Sequence, residues 1–408
     1  MAENILLYFS DTGRGHRSAT EAVDEALQLI ARSEFTDRPI NVIAEPVAEN
    51  SHPLNRAFVE LYNYFLRNHQ HLMKYYYGFL QLAKPNETEM GYSMVKQYLQ
   101  NQMIRYRPSV VVSMHPMTNH YVARAMKDVG LKGDVKLMVV VTDPNKDLWR
   151  GWACAEADVI VAPNELVKHQ LLKWGMTESQ IQVVGMPVHP AFLQPPAVPR
   201  QEFLSHLGLA PDVPTLCINA GWAGGGNMLT AYKALKDCHA PIQVVFLCGH
   251  NNRLYEEAKA LAKESTIPTA VLPFHDSMPD LMAAVDAMVT KAGGLTTFEC
   301  IARRLPMIID MITPPMPQER GTIDILVEQK LAVALQKPGD IVKLVENLSI
   351  DRDRYKRALP SAYCLNRPDA SLQIARLVLE NGGESAGRQH KHPSEQHQPR
   401  LREHRQRD

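Results

Sequence analysis

At 408 residues the chain is too long for one ordinary core and about right for two domains. Hydrophobic residues at 45% and charged residues at 22% are globular proportions that leave apolar material for two cores. Lysine plus arginine equals aspartate plus glutamate, 44 of each, so global basicity does not point to a nucleic-acid partner.

The opening MAENILLYFS has no basic stretch followed by a long apolar one, so no secretory signal is expected. Ile5–Phe9 reads as a strand, and the glycine-rich DTGRGHRSAT that follows reads as a turn entering a helix. In that helix Ala19, Ala22, Val23, Ala26, Leu27 and Ile30 form one apolar stripe. The segment Leu61–Leu82 interleaves Tyr62, Tyr64, Phe65, Tyr75, Tyr76, Tyr77 and Phe79 with Arg67 and Lys74, which suits either a membrane interface or a core-facing helix. Further strands are expected at Val110–Ser113, Leu137–Val141, Val159–Ala162 and Val183–Val184. Pro187–Arg200 holds five prolines and reads as a linker. The rhythm then restarts at Leu216–Asn219, Val244–Cys248, Ala270–Leu272, Ala287–Thr290, Met307–Ile309 and Leu331–Leu335. Strands alternating with stretches of helical length predict an α/β architecture with parallel sheets. Expected bounds are 1–190 for the first domain, 200–365 for the second and 366–381 for a last helix of open attachment, with a disordered polar tail over 382–408. Nowhere do about eighteen apolar residues run together, so no membrane-spanning helix is expected. The six cysteines are scattered without metal-ligand spacing, which suits a reduced, cytosolic setting and suggests no metal site.

Three glycine-rich loops follow strands. In the first, Gly13 and Gly15 permit positive φ and close approach of a ligand, and His16 stands where the turn becomes a helix. A helix N-terminus disfavours imidazolium, so His16 suits a proton acceptor near neutral pH; a simple backbone-bonding histidine is the competing reading. The loop is not a G-x-G-x-x-G fingerprint, which weakens a dinucleotide-dependent oxidoreductase. In the second loop, NAGWAGGGN at Asn219–Asn227, Gly221 and Gly224 are expected to approach a ligand, with a flexible surface turn as the alternative. In the third, TKAGGLTTFEC at Thr290–Cys300, Thr296 and Glu299 have the spacing of a capping box. Its functional reading sets the helix N-terminus of Gly293 and Thr296 at a diphosphate and Glu299 at ribose hydroxyls. The pairs SMHP and PVHP, with His115 and His189, and TDP, with Asp143, fall at strand ends, where open α/β sheets place ligands.

The pieces DTGRGHRSAT, SMHP, VVVTD, VVGMPVHPAF, LCGHN, TKAGGLTTFE and PQERG, in this order over about residues 5–325, resemble the monogalactosyldiacylglycerol synthases and related bacterial diacylglycerol glucosyltransferases. More distantly the chain is similar to the lipid-linked N-acetylglucosaminyltransferase of peptidoglycan synthesis. The resemblance implies a GT-B fold, two Rossmann-like domains facing an interdomain cleft. It implies inverting transfer from a UDP-sugar to a lipid hydroxyl at a membrane surface, with no cofactor beyond the UDP-sugar and no metal in the catalytic step. It puts His16 at the acceptor as base; Asp143 is a second catalytic candidate, and Gly13, Gly15 and His115 are expected on the acceptor side. It gives Glu299 the donor ribose, Gly293 and Thr296 the diphosphate, Gln318 and Glu319 the donor sugar, and Phe274 and His275 the uracil. His189 stands where relatives often carry an arginine near the donor phosphates. The expected enzyme is cytoplasmic and peripheral on the membrane. A UDP-sugar epimerase or hydrolase and a non-catalytic nucleotide-sugar-binding subunit are the competing readings.

Overall fold

The computed structural model describes residues 2–68, 72, 73, 75, 78, 88–145, 147–312, 314, 315, 317–347, 357, 358 and 367–389, with backbone alone at 67, 68, 317, 318 and 384–389. Tyr76, Tyr77 and Phe79 of the aromatic segment, and residues 390–408 of the polar tail, lie outside the described residues.

The first sheet is six-stranded and parallel: β1 (Glu3–Phe9), β2 (Ile40–Pro46), β3 (Val110–Ser113), β4 (Lys136–Val140), β5 (Val159–Ala162) and β6 (Ile181–Val183), in the order β2-β1-β3-β4-β5-β6. The second contains β7 (Thr215–Asn219), β8 (Gln243–Leu247), β9 (Thr269–Leu272), β10 (Ala287–Thr290), β11 (Met307–Asp310) and β12 (Ala332–Leu335), in the order β12-β11-β10-β7-β8-β9. Both are covered on two faces, as parallel sheets require. Along β1, Ile5, Leu7 and Phe9 enter one apolar cluster while Leu6 and Tyr8 enter another. The edge strand β2, INVIAEP, escapes the sequence reading because no residue of it is fully buried and its pattern is mixed.

Helix α1 (Gly15–Glu34) buries the expected stripe against the first sheet. After β2 come α2 (Val47–Ser51) and α3 (Pro53–Asn68). The last helix, Ala370–Gln389, returns to the first domain, packing on α1 with Ile374, Ala375, Val378 and Leu379 fully buried. It continues past Gly382, where the sequence suggests that order ends. The two glycines let the helix lie close to the first domain: a Cβ on Gly382 would be 3.1 Å from Ser109 Oγ, and one on Gly383 2.7 Å from Arg38 Nη1. Among the described residues no helix is long and apolar enough to cross a membrane.

Candidate active site

The first glycine loop is held from α2 and α3. Glu49 accepts hydrogen bonds from Ser10 Oγ and the Asp11 N–H, and Asn63 accepts from the Gly13 N–H while donating to the Asp11 carbonyl. These loop N–H groups are therefore already satisfied by protein, which makes the loop a poor phosphate cradle. Gly13 takes φ 72° with Leu66 packed beneath it. The second left-handed residue is Arg14, at φ 66°, not Gly15, whose position is open and exposed.

That turn delivers His16 into the end of the first sheet. Its Nδ1 lies 3.0 Å from the Met114 carbonyl and 3.0 Å from Thr142 Oγ1. A carbonyl only accepts, so Nδ1 carries the proton and Nε2 keeps its lone pair. His115 stacks edge-on at 4.4 Å. His115 Nδ1 accepts from the Met117 N–H at 3.2 Å, so its Nε2–H donates to Thr12 Oγ1 at 2.9 Å. Burial lowers the affinity of both rings for a second proton, and for His115 the neighbouring His16 charge adds to it. Asp143 opposes this at His16 by favouring the cation. The Asp143 carboxylate is itself fixed by the fully buried Trp152, whose indole Nε1–H donates at 2.6 Å. Gly151 lets this turn lie against the Pro116 carbonyl, so the SMHP and TDP segments and Trp152 form one unit around His16. The backbone-bonding reading of His16 is thus satisfied at one ring nitrogen while the other stays available.

In the second domain the Gly294–Ala302 helix begins earlier than a Thr296–Glu299 capping box needs. Gly293 is its N-cap, and no side chain caps it. Thr296 is half-buried in the first turn. The Glu299 carboxyl, without a hydrogen-bond partner among the described residues, is pushed up to about 7 by burial. No protein atom comes within 4 Å of a Cβ built on Gly293, whereas Gly294 faces the first domain, where a Cβ built on it would lie 3.5 Å from the Thr142 carbonyl oxygen. Thr142 therefore meets His16 with its hydroxyl while its backbone lies beside the donor-side loop.

Gly221 and Gly224 both take positive φ. At Gly224 the close neighbours are the Cys248 carbonyl and Asn251, not ligand space, and Gly249 is held in the same way by Gly221 and Trp222. The Asn219–Asn227 loop is thus glycine-rich because two loops of the same domain interlock. Phe274 stacks on His250 at 4.3 Å, and Trp222 meets His250 edge-on at 5.7 Å. His275 turns from this stack, with Nε2 3.1 Å from the Ser277 carbonyl and its ring against Phe203. His189 caps its own turn, Nδ1 accepting from the Ala191 N–H at 3.2 Å, the same arrangement that His115 makes.

Glu319, with Lys291, Asp310 and Ile323, lines a small cleft. Burial lowers the Lys291 ammonium's affinity for its proton, while Glu319 and Asp310 oppose the shift. Gln318 lies on the Pro317–Glu328 helix, its side chain outside the described atoms. The sequence reading missed Thr142, Lys291, Glu49, Asn63 and the role of Trp152. The first two lie inside quoted motifs and Trp152 only nine residues from Asp143, whereas Glu49 and Asn63 reach the first loop across 38 and 50 residues of chain.

Residues 16–188 match the family model of monogalactosyldiacylglycerol (MGDG) synthase, and residues 227–314 that of the glycosyltransferase family 28 C-terminal domain. A probable monogalactosyldiacylglycerol synthase 3 of Oryza sativa subsp. japonica is 29% identical over 93% of this chain and 74% of its own length. Monogalactosyldiacylglycerol synthase 2 of Arabidopsis thaliana is 28% identical over 93% of this chain and 81% of its own. Among solved structures, Acinetobacter baumannii MurG superposes with a TM-score of 0.57 at 13% identity, covering 93% of this chain and all of that one. The UDP-GlcNAc 2-epimerase of Neisseria meningitidis reaches 0.59 at 13% identity, covering 92% of this chain and all of that one. These distant neighbours share the fold: two Rossmann-like domains of the GT-B type. With both family matches in chain order on that fold, and relatives aligned along nearly all of it, the chain is a hexosyltransferase similar to the monogalactosyldiacylglycerol synthases over almost its whole length.

Proposed function

We propose that the protein transfers a hexose with inversion from a UDP-sugar to the free hydroxyl of diacylglycerol at a membrane surface, giving a galactolipid as the relatives' names indicate. The observation that carries this reading is Thr142, which puts a histidine with one free ring nitrogen beside the uncapped helix start that bears Glu299. A base and a nucleotide-binding loop in contact through one residue suit a single displacement.

In that displacement the lipid hydroxyl gives its proton to His16 Nε2 as its oxygen bonds to the anomeric carbon. The bond from that carbon to the diphosphate oxygen breaks, and its electron pair leaves with UDP. Met114 holds the His16 ring, and Asp143, steadied by Trp152, stabilises the imidazolium as it forms. Glu299 accepts the ribose hydroxyls, which relieves its buried carboxylate. The first-turn N–H groups at Gly293–Thr296 face the diphosphate, with Gly221 and Gly224 shaping the adjoining wall. Gln318 and Glu319 meet the donor sugar, and Phe274 the uracil. His115 supports His16 as a neutral neighbour. His275 and His189 are left as parts of their own turns. No step is assigned to a metal.

The acceptor side is served by α3. Leu54, Phe58, Leu61 and Tyr64 are 55%, 58%, 47% and 48% exposed on one stripe of it, while Val59 and Tyr62 are buried on the other face. The same helix supplies Asn63 to the His16 loop, so a bilayer against the stripe lies close to the base.

Purified protein incubated with a panel of UDP-sugars and diacylglycerol vesicles should yield a monohexosyl lipid by mass spectrometry. UDP release at the same rate without vesicles, with no glycolipid formed, would replace this reading by the hydrolase or epimerase one.

A further inference from the structure

The cleft of a UDP-sugar transferase must neutralise a diphosphate as it leaves, and the cations near this one are mostly committed. Arg17 is paired with Asp11 at 2.9 Å. Lys291 is half-buried with the charges of Glu319 and Asp310 beside it. His189 spends Nδ1 on its own turn.

Arg14 differs from all three. It has no ion pair among the described residues, although it is only half-exposed. Its backbone is left-handed, φ 66°, a conformation costly for arginine and free for glycine. From that turn the side chain crosses from the first domain to the second, with Cζ 5.0 Å from the centre of the Phe274 ring. Phe274 in turn stacks on His250, and His250 meets Trp222. The guanidinium therefore rests on the aromatic group assigned to the uracil, two residues along the chain from His16.

We propose that Arg14 is a donor-binding residue supplied by the opposite domain, which grips the diphosphate of a nucleoside diphosphate sugar and stabilises it as the leaving group. The inference rests on the UDP-sugar reading above. In the unliganded protein the ring of Phe274 holds the guanidinium over the cleft by a cation–π contact. When the nucleotide enters, the planar fork turns to the phosphate oxygens, for which it has the better geometry. Arg14 and the Gly293–Thr296 helix start then approach the diphosphate from the two domains, and the negative charge that grows as the anomeric bond breaks falls between them.

Calorimetric titration of the full chain with UDP and with uridine separates the diphosphate from the base. Arg14→Gly suits the test because glycine takes φ 66° without strain, so its melting temperature should equal or exceed that of the wild type. The expected result is UDP binding weakened roughly tenfold or more, the scale of a charged hydrogen bond, with uridine binding unchanged within about twofold. Equal UDP affinity in the variant and the wild type, or equal losses for UDP and uridine, would overturn the assignment. A wild-type protein that binds neither ligand would instead bring down the UDP-sugar reading and this inference with it.

Discussion

Two residues of the cleft are tuned in opposite directions, and their pH signatures separate. His16 is a base whose proton affinity is lowered by burial, so it stays neutral and active below the usual histidine value of 6.5. Glu299 is a carboxyl raised to about 7, so in the free enzyme much of it is protonated near neutrality and less able to accept ribose hydroxyls. On the proposed roles, kcat/KM for the donor falls as the pH drops through about 7, whereas kcat holds until His16 titrates below 6.5. A kcat whose acid limb lies above 7 would contradict the assignment of His16. His16→Ala should lower kcat by about 10²–10⁴ while far-UV circular dichroism is retained. Glu299 also marks stability. Its folded proton affinity exceeds the unfolded one, so its contribution is complete below about pH 4.5 and is lost as the pH rises through 7. Glu299→Gln removes that loss; its melting temperature should exceed the wild type's by more at pH 8 than at pH 5, while donor binding weakens. An equal difference at both pH values would mean that the carboxyl is not strained by burial.

At the scale of elements, the legible parts were those written locally. Strands followed by glycine turns announce themselves by an apolar run and a break in it, which is why His16, Asp143 and Glu299 could be singled out by position alone. What brings them together is not local. Thr142 reaches His16 across 126 residues of chain, and Asn63 reaches the same loop across about 50. Glycine counts misled for a related reason: Gly224 is required by Cys248 and Asn251, a contact between two loops that spacing cannot display. The capping-box spacing of Thr296 and Glu299 failed because the helix starts at Gly294, before Thr296. Helix α3 is the element whose reading the structure sharpened. The sequence allowed a core helix or an interfacial one over Leu61–Leu82, and α3, which overlaps the start of that segment, has one buried face with Tyr62 and one exposed apolar face with Phe58. Changing Leu54, Phe58 and Leu61 together to serine should remove most of the sedimentation with diacylglycerol vesicles, since each fully buried apolar side chain adds about 1.5–3 kcal/mol. Turnover of a short-chain, water-soluble diacylglycerol should be spared. Undiminished vesicle binding would leave the stripe without this role.

The whole molecule is closed on itself at two places. Across the cleft, Asn145 of the first domain donates to Thr322 of the second at 3.0 Å, with both residues buried, and Gly321 leaves room for the Asn145 side chain, which a Cβ there would approach to about 3.0–3.1 Å. On the far side, the chain leaves the second domain and its last helix returns to α1, where Arg376 pairs with Glu34 and Arg38 donates to the Leu379 carbonyl. The apolar stripe of that helix enters the same cluster as Ile5, Val23 and Leu27, so the end of the chain completes the core of its beginning. The exposed Arg376–Glu34 pair adds little to this, since ion pairs in water contribute about 0–1 kcal/mol. The burial of Ile374 should decide it. Ile374→Ala is expected to cost about 2–5 kcal/mol in urea unfolding, as removal of a fully buried Ile does when its surroundings cannot collapse. The loss should appear in the transition of the first domain, although the residue lies more than 180 positions beyond β6. A loss below about 0.5 kcal/mol, typical of a surface change, would mean that the returning helix is an appendage and that the first domain's core closes without it.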